Sequence, residues 1–179
     1  MSMQRRHFLR QLGAVTLAWI GFSAWARSEN ANGAAEHTES AIPKLHKPLS
    51  EWRQLLPTQA YAVLFEEATE RPGSSPLNHE KREGTFICAA CYLPLFESKA
   101  KFESGTGWPS FFQPIPGHIE TKTDYKLIFP RTEYHCARCG GHQGHVFEDG
   151  PPPTGQRWCN NGVALQFVPA GETLPALRM

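Results

Sequence analysis

Two C-x-x-C pairs, Cys88/Cys91 and Cys136/Cys139, constrain this chain more than any other feature. A two-residue gap lets both sulfurs of a pair reach one ion, and two such knuckles supply four thiolates, the closed tetrahedral set of structural zinc. The pairs stand 44 residues apart, so one ion would crosslink distant parts of the fold. Gly140 and Gly141 let the backbone turn tightly behind the second pair. A thioredoxin-like dithiol needs a helix starting at the motif inside a βαβ unit, and Cys91-Tyr92-Leu93-Pro94 does not read as one. Two structural disulfides remain the alternative in an oxidising compartment. The expected cofactor is one structural zinc ion on Cys88, Cys91, Cys136 and Cys139. A zinc held by four cysteines has no open position, so any chemistry lies elsewhere.

The fifth cysteine, Cys159, stands alone in Gly155-Gln156-Arg157-Trp158-Cys159-Asn160-Asn161. An odd cysteine in an exported protein is an intermolecular partner or a reactive thiol. Upstream, His142 and His145 lie three residues apart. Histidines beside a thiol can favour its reactive thiolate, which makes this set a candidate nucleophile arrangement. A small buried core residue is the competing reading of a lone strand cysteine.

Export is expected from the first 26 residues. Arg5-Arg6 precede an apolar run from Leu12 to Trp25, too short to span a bilayer comfortably. Ala24-Trp25-Ala26 supplies a small-x-small cleavage pattern. The paired arginines resemble a bacterial twin-arginine signal, which implies a periplasmic destination and no stable membrane association once the signal is removed. Removing Arg5, Arg6 and Arg10 with that segment leaves 15 basic against 17 acidic side chains. A net-acidic chain carries no basic stripe for a nucleic-acid partner. Residues 27–48 read as a flexible linker, 49–170 as the folded domain and 171–179 as a tail.

Within the domain, Ser50 is expected to cap a short helix presenting Trp52, Leu55 and Leu56. Pro57 ends it, and Thr58 caps a second helix with Tyr61, Leu64 and Phe65 on one side. From Thr85 onward short apolar or alternating runs recur: Thr85–Cys88, Trp108–Phe112, Ile119–Thr123, Lys126–Phe129, Glu133–Cys136, His145–Phe147, Arg157–Cys159 and Val163–Val168. Fifteen glycines and fifteen prolines separate such runs with turns. The reading is a mainly β, antiparallel domain behind two short N-terminal helices.

Three blocks carry a family resemblance. They are Ser104-Gly105-Thr106-Gly107-Trp108-Pro109-Ser110-Phe111, Gly141-His142-Gln143-Gly144-His145-Val146-Phe147-Glu148-Asp149-Gly150-Pro151, and Arg157-Trp158-Cys159-Asn160-Asn161. In this order they resemble the B-type methionine-R-sulfoxide reductases, and both C-x-x-C pairs stand where zinc-containing members carry theirs. The resemblance runs from about Leu49 to Val168. It implies two antiparallel sheets, an oxidised protein or peptide as substrate, a thioredoxin-like reductant and a monomer. Cys159 matches the nucleophile. Trp108 matches the indole against the substrate methyl, with Phe111 of the same block as a second contact. His142, His145 and Asn161 match the polar residues around the sulfoxide oxygen. Without the resemblance, Trp108 reads better as ordinary core and His142 as a histidine satisfied by backbone, and a non-enzymatic zinc-stapled binding module would remain open.

Departures from the family pattern are specific. Thr106 stands where many relatives carry a resolving cysteine, so no intramolecular partner is expected for oxidised Cys159. Asn160, Gly162 and Gln166 differ from common flanking residues. The Thr123–Pro130 stretch lacks a Ser-His-Gly segment. His118 receives no role.

Overall fold

A computed structural model of the chain describes residues 42–179. The expected export signal, and the linker as far as residue 41, lie outside the described residues. Among the described residues, no helix is long and apolar enough to cross a membrane. Ile42 and Leu45 pack against the core, and the Leu45 N–H donates to the Arg138 carbonyl at 2.7 Å.

Among the described residues two short helices come first, α1 (Leu49–Leu55) and α2 (Thr58–Glu66). Neither uses the cap expected. Pro48 and Pro57 occupy the N-cap positions, with φ of −56° and −53°, and no side chain caps either helix. A proline ring presets φ close to the helical value, so each helix starts on the residue after it. Ser50 and Thr58 consequently lie inside the helices. Trp52 and Leu56 are buried, while Leu55 is exposed. The Trp52 ring stacks on Phe65 with centroids 5.3 Å apart, which locks α1 onto α2.

Nine strands follow: β1 (Gly84–Cys88), β2 (Pro94–Glu97), β3 (Lys101–Phe102), β4 (Ser110–Phe111), β5 (Ile119–Asp124), β6 (Arg131–Cys136), β7 (His142–Phe147), β8 (Arg157–Asn160) and β9 (Leu165–Pro169). They form two antiparallel sheets, β2-β1-β9 and β3-β4-β8-β7-β6-β5. The core is the aromatic layer between them. Phe86 and Phe96 face it from the first sheet, and Phe111, Tyr134 and Trp158 from the second. Phe96 stacks on Phe111 at 4.1 Å, Phe86 meets Phe111 edge-on at 4.9 Å, and Tyr134 meets Trp158 edge-on at 5.1 Å. Burying each of these rings contributes about 1.5–3 kcal/mol before entropy is charged.

Two expectations fail for identifiable reasons. Lys126–Phe129 is a loop. Asp124 and Arg131 pair directly across β5 and β6, and Asp124 Oδ1 accepts the Lys126 N–H at 2.8 Å, which closes the chain into a turn. Tyr125, Leu127, Ile128 and Phe129 are left 77%, 57%, 94% and 80% exposed at its tip. Val163–Val168 splits into a 3-10 turn, Gly162–Ala164, and β9. Two strands, β2 and β3, have no expected counterpart.

One irregularity decides which side chains meet. Across β6 and β7, Glu133 pairs with His145 and Tyr134 with Gly144, but His135 pairs with His142. The extra residue, Gln143, is a β-bulge. In a regular strand His142 and His145 would face opposite ways. The bulge puts both on the face away from the aromatic core, with ring centroids 5.5 Å apart.

Gly144 lets β7 and β8 approach closely. A Cβ there would lie 1.9 Å from the Cys159 carbonyl oxygen. Gly144→Ala is expected to destabilise the fold by about 1–3 kcal/mol, the usual range for overpacking, seen as a lower urea midpoint.

Candidate active site and metal centre

The antiparallel register builds one row across the outer face of the larger sheet. Lys122 on β5 opposes Glu133 on β6, Glu133 opposes His145 on β7, His145 opposes Cys159 on β8, and Cys159 opposes Ser110 on β4. Directly paired residues share a face with Cβ atoms about 5 Å apart. The row thus sets the thiol between an imidazole and a hydroxyl. It opens into a cavity of about 190 Å³ whose walls include Trp108, Arg131, His145, Phe147, Cys159 and Asn161.

Each wall residue is held from behind. The Trp108 indole N–H donates to the Glu70 carbonyl at 3.2 Å. Gly107, at φ +90°, packs so tightly on Pro72 that a Cβ would stand 2.8 Å from that ring. His145 Nε2–H donates to Asp124 Oδ2 at 2.8 Å. Asp124 also takes Arg131 Nη2 at 2.6 Å. Its carboxyl is held well below the usual range by the Lys126 N–H, by His145 and by Arg131, so it stays ionised. The Asn161 side chain accepts the Glu70 N–H at 3.0 Å and donates to the Gln143 carbonyl at 3.0 Å, which leaves one amide hydrogen to spare. His142 is buried, and burial together with His135 and His145 lowers its pKa to about 4. It is therefore a neutral imidazole at pH 7.

The electrostatics of Cys159 oppose one another. Burial is the largest influence and pushes the thiol up. The neighbouring Arg157 guanidinium and the Thr106 and Ser110 hydroxyls pull it down without cancelling the rise. At rest the group is a thiol. Arg157 is fixed for its part by Asp149, with Nε to Oδ1 at 2.8 Å and Nη2 to Oδ2 at 2.9 Å. This bidentate pair lays the guanidinium over the Phe147 ring at 4.3 Å. Ser104 joins Thr106 and Ser110 at 2.8 and 2.7 Å, a chain of hydroxyls beside the sulfur.

The structure brings Cys159, His142, His145, Trp108 and Asn161 to one region. It does not bring Phe111. Phe111 pairs with Trp158 on the opposite face of β4 and β8 and is fully buried in the aromatic core. The expected substrate contact at Phe111 is therefore corrected to a packing role. Sequence reasoning missed Asp124, Arg131, Asp149 and Glu70. Glu70 is buried, and its carboxylate accepts the N–H groups of Gly162 and Val163 at 2.6 and 3.0 Å. Arg157 was visible two residues before Cys159, because alternate strand residues share a face.

The four paired cysteines converge at the tips of two hairpins, one from each sheet. Sγ atoms of Cys88 and Cys139 lie 3.7 Å apart, and those of Cys91 and Cys136 lie 3.5 Å apart. Disulfides would need about 2.05 Å, and all five cysteines are free. Thiolates bound at about 2.3 Å to a tetrahedral ion stand about 3.8 Å apart, so the cluster fits a metal and excludes the disulfide alternative. The two knuckles repeat one design. Each first cysteine carbonyl accepts an N–H four residues on, at 2.9 Å from Tyr92 and 2.9 Å from Gly140. Both residues sit at positive φ, 66° and 72°. Gln143 Nε2 donates to Cys88 Sγ at 3.5 Å.

A SelR domain model matches residues 56–169. The chain belongs to the SelR family. Peptide methionine sulfoxide reductase MsrB of Bradyrhizobium diazoefficiens is 50% identical to it over 133 residues, covering 74% of this chain and 96% of that one. The enzyme of the same name from Pseudomonas putida is 52% identical over 131 residues, 72% and 97% of the two chains. That from Methanosarcina mazei is 47% identical over 131 residues, 73% and 94%. The SelR match takes in the cavity row, both knuckles and all nine strands.

The opposition at Cys159 is testable. Arg157→Met removes a cation that favours the thiolate. The pH profile of Cys159 alkylation by iodoacetamide should move to higher pH. An unchanged profile would show that Arg157 does not act on the sulfur.

Proposed function

We propose that this chain reduces methionine-R-sulfoxide in oxidised proteins or peptides to methionine, with Cys159 as the nucleophile. The observation that carries the reading is the placement of a free thiol opposite His145 in a cavity bounded by the Trp108 indole. The MsrB relatives support the reaction class.

A sulfoxide is a pyramidal group with one polar oxygen and, in methionine, one small methyl arm. Telling its epimers apart requires an aromatic surface for the methyl, donors for the oxygen and a nucleophile opposite. Trp108 supplies the surface. His145, with Nε2–H committed to Asp124, keeps Nδ1 as a bare lone pair that takes the Cys159 thiol proton and passes it to the sulfoxide oxygen. The spare amide hydrogen of Asn161 adds a polar contact, and the neutral His142 acts from behind His145, whose ring it meets edge-on. Cys159 sulfur attacks the sulfoxide sulfur. The oxygen's bond to methionine breaks, its bond to Cys159 forms, and methionine leaves with Cys159 as sulfenic acid. An external thioredoxin-like dithiol then attacks the sulfenic sulfur. It releases water and ends as a disulfide, returning Cys159 to a thiol. Thr106 in place of a resolving cysteine, and the four other cysteines in the metal cluster, support direct external reduction.

The ion of the four-cysteine cluster is zinc, held structurally, since four thiolates close the coordination sphere. The protein acts as a monomer. It reaches the periplasm through removal of residues 1–26, for which the paired arginines and the Ala-x-Ala pattern are the support.

The loop from Asp124 to Arg131 supports a polypeptide substrate. Its two ends touch the site, through Asp124 on His145 and Arg131 in the cavity wall, and its tip is exposed and apolar. Such a patch suits apolar residues flanking an oxidised methionine in an unfolded segment.

Kinetics on each epimer, free and peptide-bound, test the whole reading. Cys159→Ser should lose turnover of the R epimer entirely, while the S epimer is not a substrate of either form. A Leu127→Ser/Ile128→Ser variant should lower kcat/KM for the peptide-bound R epimer by about tenfold, roughly the 1.4 kcal/mol of lost contact that factor represents, and spare the free one. Near-normal activity in Cys159→Ser would refute the assignment.

A further inference from the structure

On the same sheet face, beyond the cavity, β6 and β7 bring together three ligating side chains that the proposed reaction does not require as a set. His135 and His142 are directly opposed across the strands, and Glu133 lies two residues along β6 from His135. Glu133 Oε2 stands 3.2 Å from His142 Nδ1 and 3.6 Å from His135 Nε2. One ligand atom from each of the three residues fits within a 4.8 Å span. Nitrogen and oxygen donors bound at about 2.0–2.1 Å to a tetrahedral ion are separated by about 3.3–3.4 Å. The two measured edges bracket that value.

The group is buried, with side-chain exposures of 5%, 13% and 3% for Glu133, His135 and His142. Neither His135 Nε2 nor His142 Nδ1 has a hydrogen-bond partner, although both are sealed from solvent. Buried polar atoms rarely go unpaired. The surroundings are those of ligands already oriented. His135 Nδ1 lies 3.1 Å from the Gly140 carbonyl, so its proton sits there and Nε2 turns a bare lone pair toward Glu133. A ligating histidine commonly donates its other N–H to a carbonyl in this way. Glu133 Oε1 takes Lys122 Nζ at 3.0 Å, which fixes the carboxylate with Oε2 toward the imidazoles. The Lys122 charge is itself shared with Glu67 at 3.0 Å.

We propose that Glu133, His135 and His142 form a second metal site, separate from the four cysteines. Two imidazoles and a carboxylate select a borderline divalent transition ion such as zinc, cobalt, nickel or copper over calcium or magnesium. Three protein ligands leave a fourth position open. The ion draws His142 into its coordination sphere, so occupancy and sulfoxide reduction compete. The binding claim stands on the geometry alone, and its effect on turnover rests on the role proposed above for His142.

The test is cobalt titration of the untagged full chain with its four-cysteine cluster already filled by zinc. Calorimetry gives the stoichiometry and visible absorption the ligand type. One further equivalent should bind with ligand-field bands and without thiolate charge-transfer intensity. His135→Ala and Glu133→Gln should each weaken that equivalent by more than about tenfold while retaining the thiolate-bound zinc. His79→Ala, at an exposed histidine elsewhere, should change nothing. Absence of a second equivalent in the unmodified chain, or undiminished binding in both site variants, would overturn the proposal. Cobalt should also slow turnover of the unmodified chain and not of His135→Ala. A second equivalent bound without slowing would support the site and count against His142 in catalysis.

Discussion

The pairing of β7 with its two neighbours is the constraint from which the site follows. On one side His145 sits opposite Cys159, and on the other Glu133 sits opposite His145. Backbone hydrogen bonds set these partnerships, so the imidazole and thiol meet without either side chain having to be ordered separately. Gly144 permits the close approach, and the bulge at Gln143 turns His142 onto the same face. A register slip of one residue would send Cys159 into the aromatic core and bring Trp158 to the surface. The core and the site thus specify each other. Trp158, Tyr134 and Phe111 can stack only in the register that exposes Cys159.

Buried polar contacts tie this row to the rest of the molecule. Glu70, in the segment after α2, holds Trp108 by its carbonyl, Asn161 by its N–H, and the turn after β8 by its carboxylate. A second chain runs from the metal cluster. Gln143 donates to Cys88 Sγ, Asn160 donates to Gln143 Oε1 at 3.3 Å, and the Tyr134 hydroxyl donates to Asn160 Oδ1 at 2.8 Å. The residue beside Cys159 is therefore two hydrogen bonds from a sulfur of the four-cysteine cluster. Each group of this second chain is buried, so losing one partner strands another at about 1–3 kcal/mol. The four-cysteine cluster joins a hairpin of one sheet to a hairpin of the other, across the same aromatic layer.

Local chemistry in the sequence exposed part of this and topology hid the rest. The doubled C-x-x-C, the lone Cys159 and the helices around Trp52 and Tyr61 are short-range signals, and the structure forms a metal-ready cluster, a cavity thiol and two helices there. The strand runs at Ile119, Glu133 and Arg157 were legible by alternation. What escaped depends on distant partners or on a single inserted residue. Nothing near Asp124 announces that it will meet His145 21 residues later, and the Glu70 carboxylate finds its partners more than 90 residues away. The bulge at Gln143 has no compositional mark. Phe111 was assigned to substrate because it shares a block with Trp108. Strand alternation after Ser110 turns it to the core instead. Lys126–Phe129 has the composition of a strand, yet the turn closed by Asp124 leaves it in solvent.

In the proposed reaction one sulfur takes one oxygen and has no neighbouring thiol to pass it to. A single-turnover experiment without reductant measures this directly. Reduced protein is mixed with excess methionine-R-sulfoxide, methionine is counted, and the chain is weighed intact and by peptide. One methionine per chain is expected, with one added oxygen atom on the peptide containing Cys159 that is removed on adding a dithiol. A disulfide between Cys159 and any cluster cysteine, or methionine formed with Cys159 unaltered, would contradict it.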